Sequence, residues 1–331
     1  MTTMLAFSIV NPGDTKGAVV EIPKPTPEPG FALIRVLRAG VCNTDLEILQ
    51  GYMGFHGVLG HEFVGIVEDF GADVAEDVQQ RWIGKRVCGD INVGCATCSV
   101  CQNTENLDAC CSKLSRNHCP KRTVLGILNR NGTMAEYLTL PLVNLHLVPD
   151  EVPDEVAVFA EPLAAACRIP EQGLVTYDKT RPDKVAILGD GKLGLMIAEV
   201  LGREHARHDL PADQKPVLFG KHQQKLDLVK DSGVECKFVS ECQDAKAFNG
   251  VAAAHAAQYD VVVDATGSPA GLSLAAGLCR PMGTLVGGAT FFDMYTFTSD
   301  ISYAFSHSYC FAGFEEHLCG RERIQCRTVC D

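Results

Sequence analysis

A thiol, an imidazole and a carboxylate occur close together in the N-terminal part of the sequence, at Cys42, His61 and Glu62. The residues around them are mostly apolar or glycine, which keeps water scarce near charged ligands. Proteins use these three ligand types for zinc, so the stretch predicts a zinc site. Taken singly, Cys42 and His61 are better explained as packed core residues, and only their proximity favours a metal.

A second group of potential ligands consists of Cys95, Cys98 and Cys101, with two residues between neighbours. This spacing lets three thiolates from one tight loop occupy three corners of a tetrahedron, and a fourth thiolate closes a structural zinc site. Cys110 and Cys119 are the candidates for the fourth ligand, and a loop of free thiols is the alternative. A nucleic-acid-binding zinc ribbon is disfavoured because the region lacks interleaved aromatic and basic residues.

A glycine motif, formed by Gly189, Gly191 and Gly194 with Leu193 inside it, follows an apolar run and opens a helical pattern. Where a strand passes into a helix, such a turn aims backbone N–H groups and the positive end of the helix at a pyrophosphate. The motif therefore predicts a dinucleotide site. An ordinary tight turn between strand and helix is the alternative.

The end of the next strand decides which dinucleotide is expected. That strand ends at Phe219, and an NAD-preferring fold would place an acidic residue directly after it to accept the ribose hydroxyls. Gly220, Lys221 and His222 follow instead, which leaves room and positive charge for a 2′-phosphate and predicts NADP(H) over NAD(H). Alternatively, Lys221 and His222 form a solvated loop. If the second strand lies elsewhere in the sequence, Asp209 or Asp213 could supply the carboxylate that binds the ribose.

Length and composition agree with an ordinary globular protein. The 331 residues, 46% hydrophobic and 21% charged, fit about two domains. The net charge of −12 argues against nucleic acid as a partner, because phosphate binding requires a basic surface. Without a run of about 18 apolar residues or a secretory leader, we expect a soluble cytoplasmic protein with no membrane partner. In a reducing compartment, metal ligation explains clustered thiols among the 16 cysteines better than disulfides do.

The secondary-structure pattern changes near residue 155. Before it, short β-branched runs such as 31–37, 63–68 and 86–90 predict a β-rich domain. After it, Pro162 and the following alanines predict a helix, and strands then alternate with helices. Glu161, directly before Pro162, could serve simply as a helix cap.

The segments GVCNTD (40–45) and GHEFVG (60–65) resemble the zinc-dependent medium-chain dehydrogenase/reductase family, which includes alcohol, sorbitol, glucose and threonine dehydrogenases. The resemblance implies that Cys42 and His61 bind a catalytic zinc ion. It further implies that Glu62 is a direct or alternating ligand of that ion.

The same resemblance gives roles to neighbouring polar residues. It implies that Thr44 relays the substrate proton and that Asp45 orients the zinc-binding histidine. It also makes Glu161 a further carboxylate at the catalytic zinc, as in polyol and sugar dehydrogenases. For Thr44 and Asp45 the alternative is a turn or a helix cap.

The resemblance extends to the structural zinc and to the cofactor loop. The context after Cys119 matches the family's segment around its fourth structural ligand, which favours Cys119 over Cys110 and implies an insertion of about ten residues before it. Thr266 and Gly267 resemble the loop after the fourth strand of the dinucleotide fold, which passes under the cofactor. Cys310, Cys319, Cys326 and Cys330, with His317, are too irregularly spaced to predict a third metal site.

Together these features predict an α/β protein with a GroES-like β-rich catalytic domain over residues 1–155 and a Rossmann doubly wound parallel sheet over 156–300. Residues 301–331 are expected to form a divergent or shortened tail that returns to the catalytic domain. The active site is expected in the cleft between the two domains.

The resemblance implies a zinc-dependent oxidoreductase that transfers a hydride between an alcohol or polyol and NAD(P), giving an aldehyde or ketone. A small-molecule alcohol or carbonyl compound is the expected partner, and a homodimer or homotetramer is left open. The alternatives are a non-catalytic zinc-stabilised nucleotide-binding protein and a metal-free quinone or enoyl reductase.

Overall fold

The computed structural model describes residues 2–102, 115–239 and 257–287 and the backbone of a strand at 302–305. The chain divides into two compact units, Met1–Glu161 and Pro162–Asp331. The domain boundary expected near residue 155 stays a prediction.

The first unit is dominated by short strands. Its strands are β1 Thr3–Ile9, β2 Ala18–Pro23, β3 Phe31–Gly40, β4 Gly57–Val58, β5 Glu62–Phe70, β6 Arg86–Gly89, β7 Asn92–Val93, β8 Thr123–Leu125, β9 Asn129–Arg130, β10 Tyr137–Pro141 and β11 Leu145–Leu147. Its helices are α1 Asn43–Ile48, α2 Glu76–Trp82, α3 Ser99–Gln102 and α4 Asp154–Ala157, and α5 Ala160–Glu171 crosses into the second unit. The strands form three sheets, in the orders β2-β1-β4, β10-β3-β5-β6-β11 and β7-β8-β9.

The longest strand pair, β3 with β5, is antiparallel and carries the core of the five-stranded sheet. Ile34, Val64 and Val67 are fully buried on these two strands. The pairing continues to the ends of both strands, where Gly40 lies opposite Glu62. This register brings the start of β5 beside the chain that leads from β3 into α1.

The second unit contains one six-stranded sheet. Its strands are β12 Val185–Leu188, β13 Val217–Gly220, β14 Glu235–Phe238, β15 Tyr259–Asp264, β16 Cys279–Gly287 and β17 Ser302–Phe305, and its further helices are α6 Lys192–Arg207, α7 Gln223–Leu226 and α8 Pro269–Leu278. The order is β14-β13-β12-β15-β16-β17, and every pairing is parallel. This is the doubly wound order, whose strand sequence reverses direction between β12 and β15.

Both faces of this sheet are covered by apolar side chains, as expected for strands that read as continuous apolar runs. Ile187 and Val263 pack with Ile197 and Leu201 of α6 on one face. Leu188 and Val262 pack with residues of α8 on the other face. Successive side chains along each strand point to opposite faces of the sheet, so the apolar core consists of two layers, one on each face.

The described part of the predicted tail is one short strand. Ser302–Phe305 pairs with β16 as the sixth strand of the sheet, and the return of the tail to the first domain stays a prediction. A strand of four residues is too short to show periodicity in the sequence. The rest of the predicted tail, with its cysteines and His317, lies outside the described residues. In the part of the chain that the structure describes, no helix has the length and apolar character needed to cross a membrane.

Candidate active site and metal centres

Cys42, His61 and Glu62 come together as the sequence predicts. One ligand atom from each lies within 4.8 Å of the others. Cys42 stands at the N-cap of α1, Glu62 is the first residue of β5, and His61 lies directly before it. His61 is 4% exposed and Glu62 is 1% exposed. A buried imidazole, a buried carboxylate and a thiol form a donor set that fits zinc with three protein ligands and one open coordination position.

Asp45 ties the two ligand-bearing segments together. Its Oδ2 accepts a hydrogen bond from the backbone N–H of Cys42 at 2.8 Å, and its Oδ1 accepts one from the backbone N–H of Gly60 at 3.1 Å. Oδ1 also lies 3.5 Å from Nδ1 of His61. Asp45 therefore caps α1 and also lies beside the imidazole. Its contacts agree with both predictions, the helix cap and the carboxylate beside the histidine.

Two glycines leave the space that this packing needs. A Cβ atom at Gly40 would lie 2.1 Å from Oε2 of Glu62. Gly60 has φ +92°, and a Cβ there would lie 2.6 Å from Oγ1 of Thr133. Since only glycine adopts this conformation without strain, the motif places a turn directly before His61.

Negative groups surround the buried imidazole of His61. Burial by itself lowers the pKa of His61, but contacts with Asp45 and Cys42 and the charge of Glu161 raise it well above the ordinary value. Glu161 lies outside the group of three ligand atoms, yet close enough for its charge to act on His61. Such an environment favours a positive charge at this place, which a metal cation supplies.

Thr44 lies in the first turn of α1 and is half-buried. Its Oγ1 is 3.7 Å from Sγ of Cys42. The hydroxyl is thus next to a predicted metal ligand, where a proton relay would need it. Its role in proton transfer stays a prediction.

The second thiol group also comes together. One sulfur atom from each of Cys95, Cys98, Cys101 and Cys119 lies within 4.8 Å of the others. Sγ of Cys98 and Sγ of Cys119 are 3.7 Å apart. The backbone N–H groups of Cys95 and Lys121 donate to Sγ of Cys119, at 3.4 and 3.3 Å. Donors aimed at sulfur stabilise thiolates, which is the state that binds zinc.

The thiol pKa values in this group move in opposite directions. The hydroxyl and the backbone N–H of Thr97 lower the pKa of Cys95 to about 5. Desolvation and the neighbouring sulfurs of Cys98 and Cys119 raise the pKa of Cys101 to about 12. All four sulfur atoms could be thiolates side by side only with a cation among them. Cys110, the alternative fourth ligand, lies outside the described residues.

The three glycines of the dinucleotide motif occupy different structural positions. Gly189 follows β12 with φ +106°, and a Cβ at Gly194 would lie 2.0 Å from the carbonyl oxygen of Gly189. Gly191 is the N-cap of α6, and a Cβ there would meet open space. Close packing at Gly194 and an open approach at Gly191 are what a pyrophosphate cradle requires. The half-buried Leu193 packs against the apolar core.

The loop after β13 lies where the sequence predicts it. Gly220 ends the strand, and the exposed residues Lys221 and His222 follow. Asp209 follows His208, the C-cap of α6, and Asp213 lies before β13, so both are at the opposite edge of the sheet. Neither can supply the carboxylate that the alternative interpretation required.

The loop after β15 is held by its own side chains. Oδ1 of Asp264 accepts hydrogen bonds from the backbone N–H and from Oγ1 of Thr266, at 2.9 and 2.7 Å. Oγ1 of Thr266 in turn accepts one from the backbone N–H of Ser268 at 3.2 Å. The Thr266 hydroxyl thus shapes the loop, and Gly267, with φ +62° and open space around its Cα, offers backbone to a ligand.

Sequence reasoning missed two buried carboxylates at this edge of the sheet. Asp264 is 1% exposed, and burial raises its pKa. Asp190, between the first two glycines, is 6% exposed and accepts hydrogen bonds from the loop after β13. Both residues stand at the carboxyl ends of parallel strands, where ligands bind in this fold, and that position was a usable signal.

Residues 28–150 match the family model for the alcohol dehydrogenase GroES-like domain. L-threonine 3-dehydrogenase of Mesorhizobium japonicum is 33% identical over 221 residues, which make up 65% of this chain and 56% of that protein. The chain spans less than two thirds of the length of such curated relatives, with 62% and 58% for two others.

Two solved structures have a TM-score of 0.71 and 24% identity to this chain, and both likenesses concern the fold. One is a putative zinc-binding dehydrogenase from Sinorhizobium meliloti 1021 bound to NADP, covering 92% of this chain and 84% of its own. The other is a short chain alcohol dehydrogenase from Escherichia coli CFT073 complexed with NADH, covering 92% and 83%. The predicted fold class, a GroES-like domain with a Rossmann doubly wound sheet, is confirmed. Residues 28–150 therefore belong to the alcohol dehydrogenase GroES-like domain family, and over 65–70% of its length the chain is similar to L-threonine 3-dehydrogenases.

Proposed function

We propose that this protein is a zinc-dependent oxidoreductase that transfers a hydride between the carbinol carbon of an alcohol or polyol and NADP(H), giving an aldehyde or ketone. The observation that carries the proposal is the group formed by the half-buried Cys42 with the buried His61 and Glu62, which Asp45 holds together. The named activities of its relatives, L-threonine 3-dehydrogenase among them, support the same class of reaction.

The residues of the first unit have different roles at the hydroxyl oxygen of the alcohol. Cys42, His61 and Glu62 would hold zinc, which when bound acts as a Lewis acid that lowers the pKa of an alcohol. Glu161 supplies further negative charge near His61. Thr44 accepts the proton that the alcohol loses and passes it outward. Asp45 keeps the His61 ring in one orientation, as a carboxylate beside a ligating imidazole commonly does.

The residues of the second unit bind the nicotinamide cofactor. Gly189, Gly191 and Gly194 form the pyrophosphate turn, and Gly267 offers backbone on the neighbouring strand end. The solved relatives do not decide between the two cofactors, since one is bound to NADP and one is complexed with NADH. The proposed preference for NADP(H) therefore rests on Gly220 and the cationic loop after it.

A second zinc ion would be structural and would be bound by Cys95, Cys98, Cys101 and Cys119. Four thiolates leave no open position for a substrate. The proposal includes a cytoplasmic location and a homodimer or homotetramer as the assembly. It leaves the individual alcohol open, with L-threonine and polyols as the first compounds to test.

Metal content and turnover test the proposal together. We expect two zinc ions per chain and reduction of NADP, followed by absorbance, with at least one member of a panel of L-threonine, secondary alcohols and polyols. His61→Asn should lose one zinc and all turnover, whereas Cys88→Ser, which changes a half-buried thiol outside both groups, should lose neither. A folded, zinc-loaded protein without turnover would instead support a non-catalytic nucleotide-binding protein. Turnover of a quinone without zinc would identify a metal-free reductase.

A further inference from the structure

The carboxylate of Asp190 holds the loop that follows β13. Its Oδ2 accepts three hydrogen bonds, from the backbone N–H of Lys221 at 2.8 Å, from the backbone N–H of His222 at 2.7 Å and from Nδ1 of His222 at 2.9 Å. The Asp190 side chain is 9% exposed and that of His222 is 58% exposed. A buried carboxylate thus fixes an exposed imidazole at the edge of the dinucleotide site.

The hydrogen bonds keep Asp190 ionised. Burial by itself raises the pKa of this carboxyl group, but the backbone N–H groups of Lys221 and His222 and the imidazole outweigh burial and lower it. Because Nδ1 of His222 is bound to Asp190, Nε2 is the ring nitrogen that points away from the carboxylate. The exposed Lys221 precedes it in the same loop.

Asp190 also excludes the side chain that would favour NAD. In doubly wound folds, an acidic residue at the end of the second strand accepts the ribose hydroxyls, and Gly220 stands at that place here. A Cβ atom at Gly220 would lie 2.9 Å from Cβ of Asp190 and 2.6 Å from Cδ2 of Leu226. Any side chain at position 220 would therefore crowd Asp190 and Leu226, and an acidic one would also bring a second negative charge close to Oδ2 of Asp190, which lies 3.1 Å from the Cβ position.

We propose that Asp190 determines the selectivity for NADP(H) over NAD(H) by positioning Lys221 and His222 against the 2′-phosphate. This inference rests on the proposed function, because it concerns the cofactor of that reaction. Asp190 acts as a positioning residue, and the two loop side chains contact the phosphate.

Equilibrium binding tests the inference without turnover. Protein fluorescence would follow titrations of NADPH, NADH, adenosine 2′,5′-bisphosphate and 5′-AMP into the wild type and into Asp190→Asn. The variant keeps the shape of the side chain and removes its charge. We expect about tenfold weaker binding of NADPH and of the bisphosphate, and a change of less than about twofold for NADH and 5′-AMP.

Asp260 provides a matched control at the opposite edge of the same sheet. Its carboxylate accepts hydrogen bonds from the backbone N–H of Lys184 at 2.8 Å and from Nε of Arg280 at 2.5 Å. Asp260→Asn therefore also removes the charge of a carboxylate that joins a backbone N–H to a cationic side chain. It should leave the binding of all four ligands unchanged.

A double-mutant cycle separates positioning from a general effect on the fold. If Asp190 acts through His222, His222→Gln weakens NADPH binding in the wild type and has little further effect in Asp190→Asn. Should Asp190→Asn fail to fold, the exposed His222→Gln carries the test, and unchanged NADPH binding in it overturns the inference. Equal losses for NADPH and NADH in Asp190→Asn, or additive effects of the two substitutions, overturn it as well.

The outcomes distinguish this inference from the proposed function. A wild type that binds NADH more tightly than NADPH refutes the selectivity and with it the inference. A wild type that binds NADPH selectively through Asp190 but turns over no alcohol supports the inference and refutes the proposed reaction.

Discussion

Oδ1 of Asp45 lies 3.5 Å from Nδ1 of His61, and both side chains are almost completely buried. The same carboxylate accepts hydrogen bonds from the backbone N–H groups of Cys42 and Gly60. One side chain therefore fixes the N-cap that carries the thiol, the turn before β5 and the ring of the imidazole.

Replacing Asp45 by Asn should weaken zinc binding at the first site. We expect a loss of about 10- to 100-fold in zinc affinity, because the ring loses its orienting carboxylate and two segments lose a charged acceptor. Competition with a chromophoric chelator measures this affinity. Asp69→Asn is the control, since the exposed Asp69 accepts a hydrogen bond from the neighbouring Phe70 N–H. Unchanged zinc affinity in Asp45→Asn would contradict the linking role.

Thr44→Val should impair proton transfer without loss of metal. Removing the hydroxyl next to Cys42 is expected to lower kcat by about 100-fold or more, whereas Thr44→Ser keeps the hydroxyl and most of the rate. Steady-state kinetics at matched zinc content provide the measurement. If the valine variant is as active as the serine variant, Thr44 is a helix residue without a catalytic role.

Cys119→Ser should remove one of the two zinc ions, and Cys110→Ser should remove none. Cys119 is buried and its sulfur lies with those of Cys95, Cys98 and Cys101. Loss of a structural zinc also lowers the melting temperature, because the binding free energy of the metal contributes to folding. Zinc content by mass spectrometry with thermal unfolding decides between the two cysteines. Retention of both zinc ions in Cys119→Ser would refute the assignment.

Two alanine substitutions in the glycine motif should affect different properties, one the stability of the fold and the other the binding of the cofactor. Gly194→Ala brings a methyl group within 2.0 Å of the carbonyl oxygen of Gly189 and should lower the free energy of unfolding by about 1–3 kcal/mol. Gly191→Ala meets open space in the protein, so stability should stay near the wild type while the methyl group obstructs the pyrophosphate. Thermal unfolding and NADPH titration of both variants separate these effects. Tight NADPH binding by Gly191→Ala would argue against a pyrophosphate at this turn.

The ion pair between Asp260 and Arg280 should make stability depend on pH in the acidic range. Although burial raises the pKa of Asp260, the Lys184 N–H and Arg280 outweigh it, so the folded-state pKa lies below the unfolded value. The stabilisation is then complete above the unfolded pKa and is lost as the pH falls through the folded pKa. We expect Asp260→Asn to cost about 1 kcal/mol at pH 7, a figure reduced for partial exposure, and almost nothing near pH 2. Urea unfolding of both proteins across this range tests the sign, and a cost that grows toward low pH would contradict it.

Much of this architecture follows from local sequence patterns. The glycine motif predicted the turn after β12 because strand, glycines and helix are contiguous, and the two-residue gaps between cysteines predicted a sulfur cluster for the same reason. Asp190 was missed because its partners lie about thirty residues away, across the parallel pairing of β12 with β13. The bounds of the edge strand Ser302–Phe305 could not be predicted, because pairing with β16 specifies this strand more than its own four residues do. The path from Cys42 to Glu161 spans over a hundred residues, so only the family resemblance could connect them.

The close approach of Gly220 to Asp190 restricts the order in which cofactor preference could change by mutation. Gly220→Asp on its own would force a side chain against the buried carboxylate and repel it, so this single step is expected to damage the fold. Asp190→Ala on its own would release the loop before any new ribose contact exists. Asp190→Ala would also leave a Cβ atom and Leu226 against any side chain at position 220, so neither substitution alone is expected to give an acidic residue room at the end of this strand.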